Sequence, residues 1–324
     1  MMRSDSLRLH QDLTFTRGDT ELHDAEPGQA LIRIEFAGVC GSDLHVMRTG
    51  DWVTMWPAVL GHEIIGVVHS CPGGEFIVGD RVVVDSRVPC GDCEGCNQAP
   101  NLCSNLAWVG EIMPGGYQTH ALFSTSQLVH CPANLEAGIG VLAEPLAVAM
   151  HGVSKVDLIP DSALILGYGP IGALVHSELR RRNPSCSVTV CEPEHMRQQM
   201  ASAFGAITIG SLQGDRWPLV VDAAGYATSL ADAVNATSHG GTVLAIAIPH
   251  MSVLVDAQGL VERSISLFGS VGFDDELPLA IRVLSEEPDS FRPLVTEAVL
   301  LDDAAERLAT LSSKPAAGKV VIRL

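Results

Sequence analysis

Cys40, His62 and Glu63 offer a thiolate, an imidazole and a carboxylate within one short stretch of sequence. These are the three ligand types that zinc takes. Three protein ligands with a fourth position open describe a metal that does chemistry rather than one that only braces a loop. In the run Gly38-Val39-Cys40-Gly41-Ser42-Asp43-Leu44-His45, Ser42 adds a small hydroxyl near the thiol, and His45 adds a proton acceptor that titrates near physiological pH. Singly, each has an ordinary explanation: a lone Cys fills core, and a His beside a carboxylate makes a structural hydrogen bond. The joint occurrence of Cys-x-Ser-x2-His and Gly61-His62-Glu63 favours a metal centre with proton-transfer groups beside it. Trp52 and Trp56 lie between the two motifs, where packing and the wall of a substrate pocket are equally good readings.

Cys90, Cys93, Cys96 and Cys103 form a second cluster. Four thiolates at short spacing close a tetrahedron around one zinc with no open position, which is a structural site. Gly91, Gly95 and Asn97 allow the bent backbone that such a knuckle needs. An iron–sulfur cluster shares the Cys-x2-Cys-x2-Cys opening, but the usual Cys-x3-Cys-Pro continuation is absent. Disulfides are weaker still for clustered thiols in a chain without a secretory signal.

A third chemistry-bearing stretch is Gly167-Tyr168-Gly169-Pro170-Ile171-Gly172, preceded by the apolar run Ala163–Leu166 and followed by a helical pattern over Ala173–Arg182. Strand, G-x-G-x-x-G and helix in that order point to a dinucleotide. The glycines allow the tight turn and close approach to pyrophosphate, and the helix N-terminus faces the phosphates. The next strand, Ser187–Cys191, ends at Glu192, an acid placed to accept from the adenosine ribose hydroxyls and to repel a 2′-phosphate, which favours NAD. Arg197 packs along the ribose or adenine, welcomes a phosphate, or is a solvated helix charge, so NADP stays open.

These groups need elements to hold them. Leu31–Ala37 reads as a strand delivering Cys40 at its end, Val59–Val68 as a strand carrying His62 and Glu63 in its first part, and Arg81–Val84 as another, so the first half is a small β-rich domain. Leu219–Gly225 and Gly241–Pro249 read as buried parallel strands, with helices near Ser229–Thr237 and Leu277–Ser285. Ligands sit at the carboxyl ends of such strands, so Ala224, Gly225, Ala247, Ile248, Val271 and Gly272 are the expected neighbours of the nicotinamide half.

The totals agree. The 324 residues suffice for two domains, and 47% apolar with 18% charged residues is a globular composition. The net charge of −18 argues against a nucleic-acid surface or a polybasic membrane contact. No apolar run reads as long enough to span a bilayer, no secretory signal is visible, and the cytoplasm is the expected compartment.

With these residues in view, the chain resembles the zinc-dependent medium-chain dehydrogenases, especially the polyol branch that includes sorbitol, threonine and butanediol dehydrogenases. The resemblance rests on Gly38–His45, Gly61–Glu63, the four-cysteine lobe, Ala143–Val148, Gly167–Gly172 and Gly318–Ile322. It implies an α/β architecture, a doubly wound Rossmann sheet inserted in a β-rich GroES-like catalytic domain, with the active site in the cleft between them. The expected divisions are 1–146 catalytic, 147–272 NAD-binding and 273–324 returning to the catalytic domain. It implies two zincs per chain: a catalytic one on Cys40, His62 and Glu63, with Glu144 as fourth ligand or partner of the bound water, and a structural one on the cysteine lobe. Ser42 and His45 match the family's proton relay. The cofactor-binding set is Gly167, Gly169, Pro170, Ile171, Gly172, Glu192 and Arg197, together with the six neighbours of the nicotinamide half.

The expected activity is hydride transfer between NAD and a secondary alcohol: a polyol, vicinal diol or amino alcohol. An NADP(H)-dependent carbonyl reductase and a non-catalytic dinucleotide-binding relative are the alternatives. The expected partners are a small alcohol or ketone and further copies of the chain in a homodimer or homotetramer, joined through an edge strand near Ser264–Gly269. Three departures from the family stand out, one of them the shortening of several loops such as Ser70–Ile77. The gap between Cys96 and Cys103 is one residue shorter than usual, and Ala247 replaces a common glycine.

Overall fold

The alternating run around Ile32 and Ile34 forms the strand Gln29–Gly38, the centre of the sheet that carries the cysteine–histidine motifs. The computed structural model describes residues 2–249, 251–311 and 313–324. In it the chain divides into Met1–Glu144 with Leu277–Leu324, and Pro145–Glu276.

The first unit's main sheet runs in the order Val295–Leu300, Lys319–Arg323, Gln29–Gly38, Glu63–Ser70, Arg81–Val84, Leu128–His130, with His120–Ser124 also pairing with the central strand. Its register sets the position of the candidate metal-ligating motifs. Gly38 lies opposite Glu63 on one side and opposite Val321 on the other. The end of the central strand is therefore the point where three distant segments meet. One core group of Ile32, Ile34, Ile64, Val82, Val109 and Phe123 and another of Leu7, Leu60, Tyr117, Leu308, Val320 and Ile322 bury this unit's apolar side chains.

The second unit is a six-stranded parallel sheet in the order Ile207–Ile209, Ser187–Cys191, Ser162–Leu166, Trp217–Asp222, Thr237–Ala245, Ser266–Gly269. This is the doubly wound arrangement in which the order reverses beside the first strand. The four buried residues Ala163, Leu164, Ile165 and Leu166 are flanked on both faces, which explains their unbroken apolar run.

Three expectations are corrected. His62 is not in a strand: the strand begins at Glu63, because Gly61 at φ +89° turns the chain just before it. The helix after the glycines begins at Pro170, where a missing N–H costs nothing at the first helical position. The run Ala137–Ser154 is long and apolar enough to cross a bilayer by length and composition, and 83% of it is buried in the protein, as a core segment is.

Beneath the glycine loop the Tyr168 hydroxyl and His176 Nδ1 lie 2.8 Å apart, both side chains buried. Burial, helped by Arg180, pushes the His176 imidazole down to about 4. The neutral ring stabilises the fold fully above the ordinary histidine range, and that contribution is lost as pH falls toward about 4, up to about 3 kcal/mol. Between pH 6.5 and 4.5 the urea midpoint of the wild type is expected to fall further than that of His176→Gln. Equal falls would refute this assignment.

Candidate functional site

The central strand stops at Gly38, and Cys40 follows as the residue that caps helix Gly41–Thr49. Asp43, in the first turn of that helix, reaches back. Its Oδ2 accepts from the Cys40 amide at 2.8 Å and from the Tyr117 hydroxyl at 3.0 Å, and its Oδ1 accepts from the Gly61 amide at 3.2 Å. One buried carboxylate thus ties the Cys40 turn to the residue before His62. Gly61 can be nothing larger, since a Cβ would lie 2.5 Å from the Tyr117 ring.

These constraints bring one ligand atom each of Cys40, His62 and Glu63 within 4.8 Å of one another. Glu63 is 1% exposed, and its Oε1 accepts from Lys319 Nζ at 2.6 Å. Lys319, also buried, donates to the Val39 carbonyl at 3.2 Å as well, so it grips both ligand-bearing segments. The other carboxylate oxygen, Oε2, is buried without a hydrogen-bond partner, and a Cβ at Gly38 would sit 1.8 Å from it. A carboxylate oxygen left without a donor, beside a thiol and an imidazole, fits a cation, and the S, N, O donor set suits zinc.

The charges agree with that fit. Burial disfavours the His62 imidazolium, but the hydrogen bond and charge of Cys40, with Asp43 and Glu144, outweigh it and hold the group well above the ordinary histidine range. Burial pushes the Glu144 carboxyl up to about 7 and Glu63 repels its charge, against the attraction of His62, Ser86 and Lys319. Glu144 does not complete the three-residue cluster: its Oε1 accepts from the Ser86 hydroxyl at 2.7 Å. Ser42 Oγ is buried with no hydrogen-bond partner. His45 is buried, its Nε2 3.3 Å from Asp51 Oδ2 and its ring 4.5 Å from the Trp52 ring. Trp52 therefore packs on the histidine while staying 41% exposed.

The four lobe cysteines are brought together as expected. Cys90–Cys103 and Cys93–Cys96 sulfurs lie 3.5 Å apart and Cys90–Cys96 3.8 Å, with no disulfide. Arms of about 2.3 Å in a tetrahedron place sulfurs about 3.8 Å apart. Backbone amides of Cys90, Gly91, Cys96 and Asn105 point at the sulfurs. Amide donation from Ser104 and Cys96 brings the Cys93 thiol down to about 5, whereas the carboxylate of Asp92 pushes Cys90 up to about 12. The shortened Cys96–Cys103 gap is accommodated by the close approach of Gly95 to Leu102, whose carbonyl oxygen lies 1.9 Å from where a Cβ would be.

In the second unit Gly167 adopts φ +82°, and a Cβ at Gly172 would meet the Gly167 carbonyl oxygen at 2.2 Å. Gly169 faces open space, its nearest neighbour the Arg197 guanidinium at 4.0 Å. This is a backbone cradle at a helix N-terminus with a cation beside it, and it fits a pyrophosphate. Glu192 is buried; Oε2 accepts from the Tyr168 amide at 2.7 Å and Oε1 from the Glu194 amide at 3.0 Å. Arg197 lies 3.9 Å from it. Gly225 sits at φ +67°, and a Cβ there would lie 3.0 Å from that of Ala247, so the turn beside the alanine takes only glycine comfortably. Ile248 and Val271 are exposed at the carboxyl ends of their strands.

Residues 26–133 match the family model of the alcohol dehydrogenase GroES-like domain. A D-altritol 5-dehydrogenase of Agrobacterium fabrum is 30% identical over 315 residues, covering 92% of this chain and 93% of that one. The chain belongs to the zinc-dependent medium-chain alcohol/polyol dehydrogenase family. It is an oxidoreductase. Among solved structures, 2R,3R-butanediol dehydrogenase from Bacillus subtilis superposes with a TM-score of 0.89 at 26% identity, covering 99% of each chain. An Escherichia coli alcohol dehydrogenase in complex with NADH superposes with a TM-score of 0.91 at 25% identity, covering 100% of each.

Four residues of the first site were not singled out from sequence: Asp43, Tyr117, Ser86 and Lys319. Only Asp43 carried a local signal, an acid three residues after a helix cap. Lys319→Met is expected to leave Glu63 buried without its counter-charge. That should destabilise the chelator-treated protein by about 3–5 kcal/mol, read as a lower urea midpoint, and an unchanged midpoint would refute the role of the pair.

Proposed function

We propose that this dehydrogenase oxidises a secondary alcohol carrying further hydroxyl or amino groups, with NAD as hydride acceptor, and that it runs the reverse reduction. The observation that carries this is the buried Cys40–His62–Glu63 cluster with its unpartnered carboxylate oxygen. The named relatives act on compounds of this kind: an altritol, a butanediol and, in a threonine 3-dehydrogenase of Deinococcus deserti 25% identical over 326 residues, an amino alcohol.

Cys40, His62 and Glu63 would hold one zinc, and Cys90, Cys93, Cys96 and Cys103 a second. Glu144, on Ser86, is assigned to the water or substrate side of the first. When bound, the zinc at Cys40 supplies Lewis acidity to the substrate oxygen and NAD supplies the hydride acceptor. The chain's own residues fix geometry and handle the proton. Asp43 and Lys319 hold the ligand-bearing segments in register. Ser42, a buried hydroxyl without a partner, takes the alcohol proton, and His45 receives it, its ring held by Asp51 and Trp52.

Gly167, Gly169, Pro170, Ile171 and Gly172 would take the pyrophosphate, with the Arg197 guanidinium over it. Glu192, fixed by two amides at the end of its strand, favours the ribose hydroxyls of NAD over a 2′-phosphate. We also propose a cytoplasmic homo-oligomer joined through Ser266–Gly269. That strand is the exposed edge of its sheet and presents Leu267 and Phe268, with Val261 near it in sequence.

Zinc-loaded protein offered NAD or NADP with polyols, vicinal diols and amino alcohols should reduce NAD with at least one class. Cys40→Ala and His62→Ala should each lower turnover by about 10³-fold or more and leave one zinc per chain. Near-normal activity in either variant would overturn the metal assignment. Glu192→Ala should narrow the preference for NAD over NADP, measured as the ratio of kcat/KM values, and an unchanged ratio would remove Glu192 from cofactor choice.

A further inference from the structure

The first unit holds a carboxylate that the proposed reaction does not use. Glu111 sits in the turn after Trp108, half-buried, with its amide on the Trp108 carbonyl at 3.1 Å. This turn is fastened to the metal cluster's surroundings on two sides. Val109, fully buried, donates its amide to the carbonyl of Ser86, the residue whose hydroxyl holds Glu144. Gly110, at φ +89°, packs so closely on Leu60 and Gly61 that a Cβ there would lie 3.3 Å from the Gly61 amide nitrogen, one residue before His62. The Glu111 carbonyl takes the amide of Thr54, between Trp52 and Trp56. The turn is thus wedged between the two segments that carry metal-centre residues and cannot drift from them.

The Glu111 side chain feels the charges of this region. Burial pushes its carboxyl up to about 7, and the charges acting on it are His62, which attracts, and Asp43, which repels, with the Trp108 amide as a further donor. No ion pair to an Arg or Lys neutralises it among the described residues. A half-buried acid without an Arg or Lys partner, on a turn packed against the residue before His62, is costlier to keep ionised than an exposed one unless something else donates to it.

We infer that Glu111 is a specificity residue that accepts a hydrogen bond from a second donor group, hydroxyl or ammonium, carried beside the reacting carbinol of the substrate. This rests on the proposed alcohol oxidation and narrows its substrate to molecules with two neighbouring polar groups. A plain secondary alcohol leaves the carboxyl unsatisfied, and the discrimination comes from that penalty as much as from the bond gained.

The test uses three probes of similar size on the zinc-loaded enzyme with NAD: butan-2-ol, butane-2,3-diol and 1-aminopropan-2-ol. The wild type should favour the diol or the amino alcohol over butan-2-ol in kcat/KM by about 10- to 100-fold. Glu111→Ala should erase that ratio, by lowering kcat/KM for the donor-bearing probes and raising it for butan-2-ol as the unsatisfied carboxyl is removed. Glu111→Gln, which still accepts a hydrogen bond but carries no charge, separates the two sources. Retention of the diol preference marks a hydroxyl, and loss of an amine preference marks an ammonium. A ratio unaltered in Glu111→Ala, or a wild type that does not distinguish the probes, overturns the inference.

Binding of the same probes to the enzyme loaded with zinc and NADH, followed by calorimetry, reads the preference without turnover. Glu111-dependent binding in a silent enzyme would defeat the proposed oxidation and keep the specificity role. Equal binding in wild type and Glu111→Ala, or no binding of either donor-bearing probe, would defeat the role itself.

Discussion

The buried pair between Lys319 and Glu63 is the interaction on which the geometry of the candidate metal site depends. Two charges removed from water are expensive unless each finds its partner and its remaining hydrogen bonds. Lys319 meets this demand through Glu63 Oε1 and the Val39 carbonyl, leaving Glu63 Oε2 alone beside Cys40 and His62. The ammonium therefore does two jobs. It pins the strand that bears Glu63 to the segment that leads into Cys40, and it offsets one of the negative charges crowded there. Asp43 makes the complementary tie from the other side, through three hydrogen bonds to Cys40, Gly61 and Tyr117.

Such crowding works only where the backbone gives way. Gly38, directly opposite Glu63 in the sheet, has no side chain because the carboxylate occupies that volume. Gly61 yields to the Tyr117 ring in the same manner, and Gly172 to the carbonyl of Gly167 in the nucleotide-binding unit. The two sites share a device: a glycine lets a carboxylate, a ring or a backbone carbonyl approach closer than any Cβ would permit.

Much of this was legible in the sequence, and the limits are physical. Cys40, His62, Glu63, the four lobe cysteines and the glycine loop advertise themselves because ligands and turn residues must be of particular types at short spacing. The parallel strands were readable because burial on both faces leaves an unbroken apolar run, as in Ala163–Leu166. What stayed hidden depends on long-range register. Lys319 stands 256 residues from its partner, and Ser86 is 58 from Glu144, distances no local pattern spans. Glu111 carries no local signal; its setting comes from the packing of its turn against Gly61. The placement of His62 just ahead of its strand depended on one backbone angle, which composition does not encode. Glu144 was placed by resemblance alone, and its bond to Ser86 shows how a family position can be held by a residue that no motif contains.

The discontinuity of the first unit has a temporal side. Pro145–Glu276 contains every strand of its parallel sheet within one uninterrupted span, so its contacts can form as soon as that span exists. The strand that supplies Lys319 is made after all of it, and until that strand lies against Gln29–Gly38, Glu63 has no counter-charge and the sheet edge beside Cys40 is bare. The parallel sheet can thus form ahead of the register that brings Cys40, His62 and Glu63 together. The order in which the chain leaves the ribosome thus separates completion of the parallel sheet from arrival of the Glu63 counter-charge.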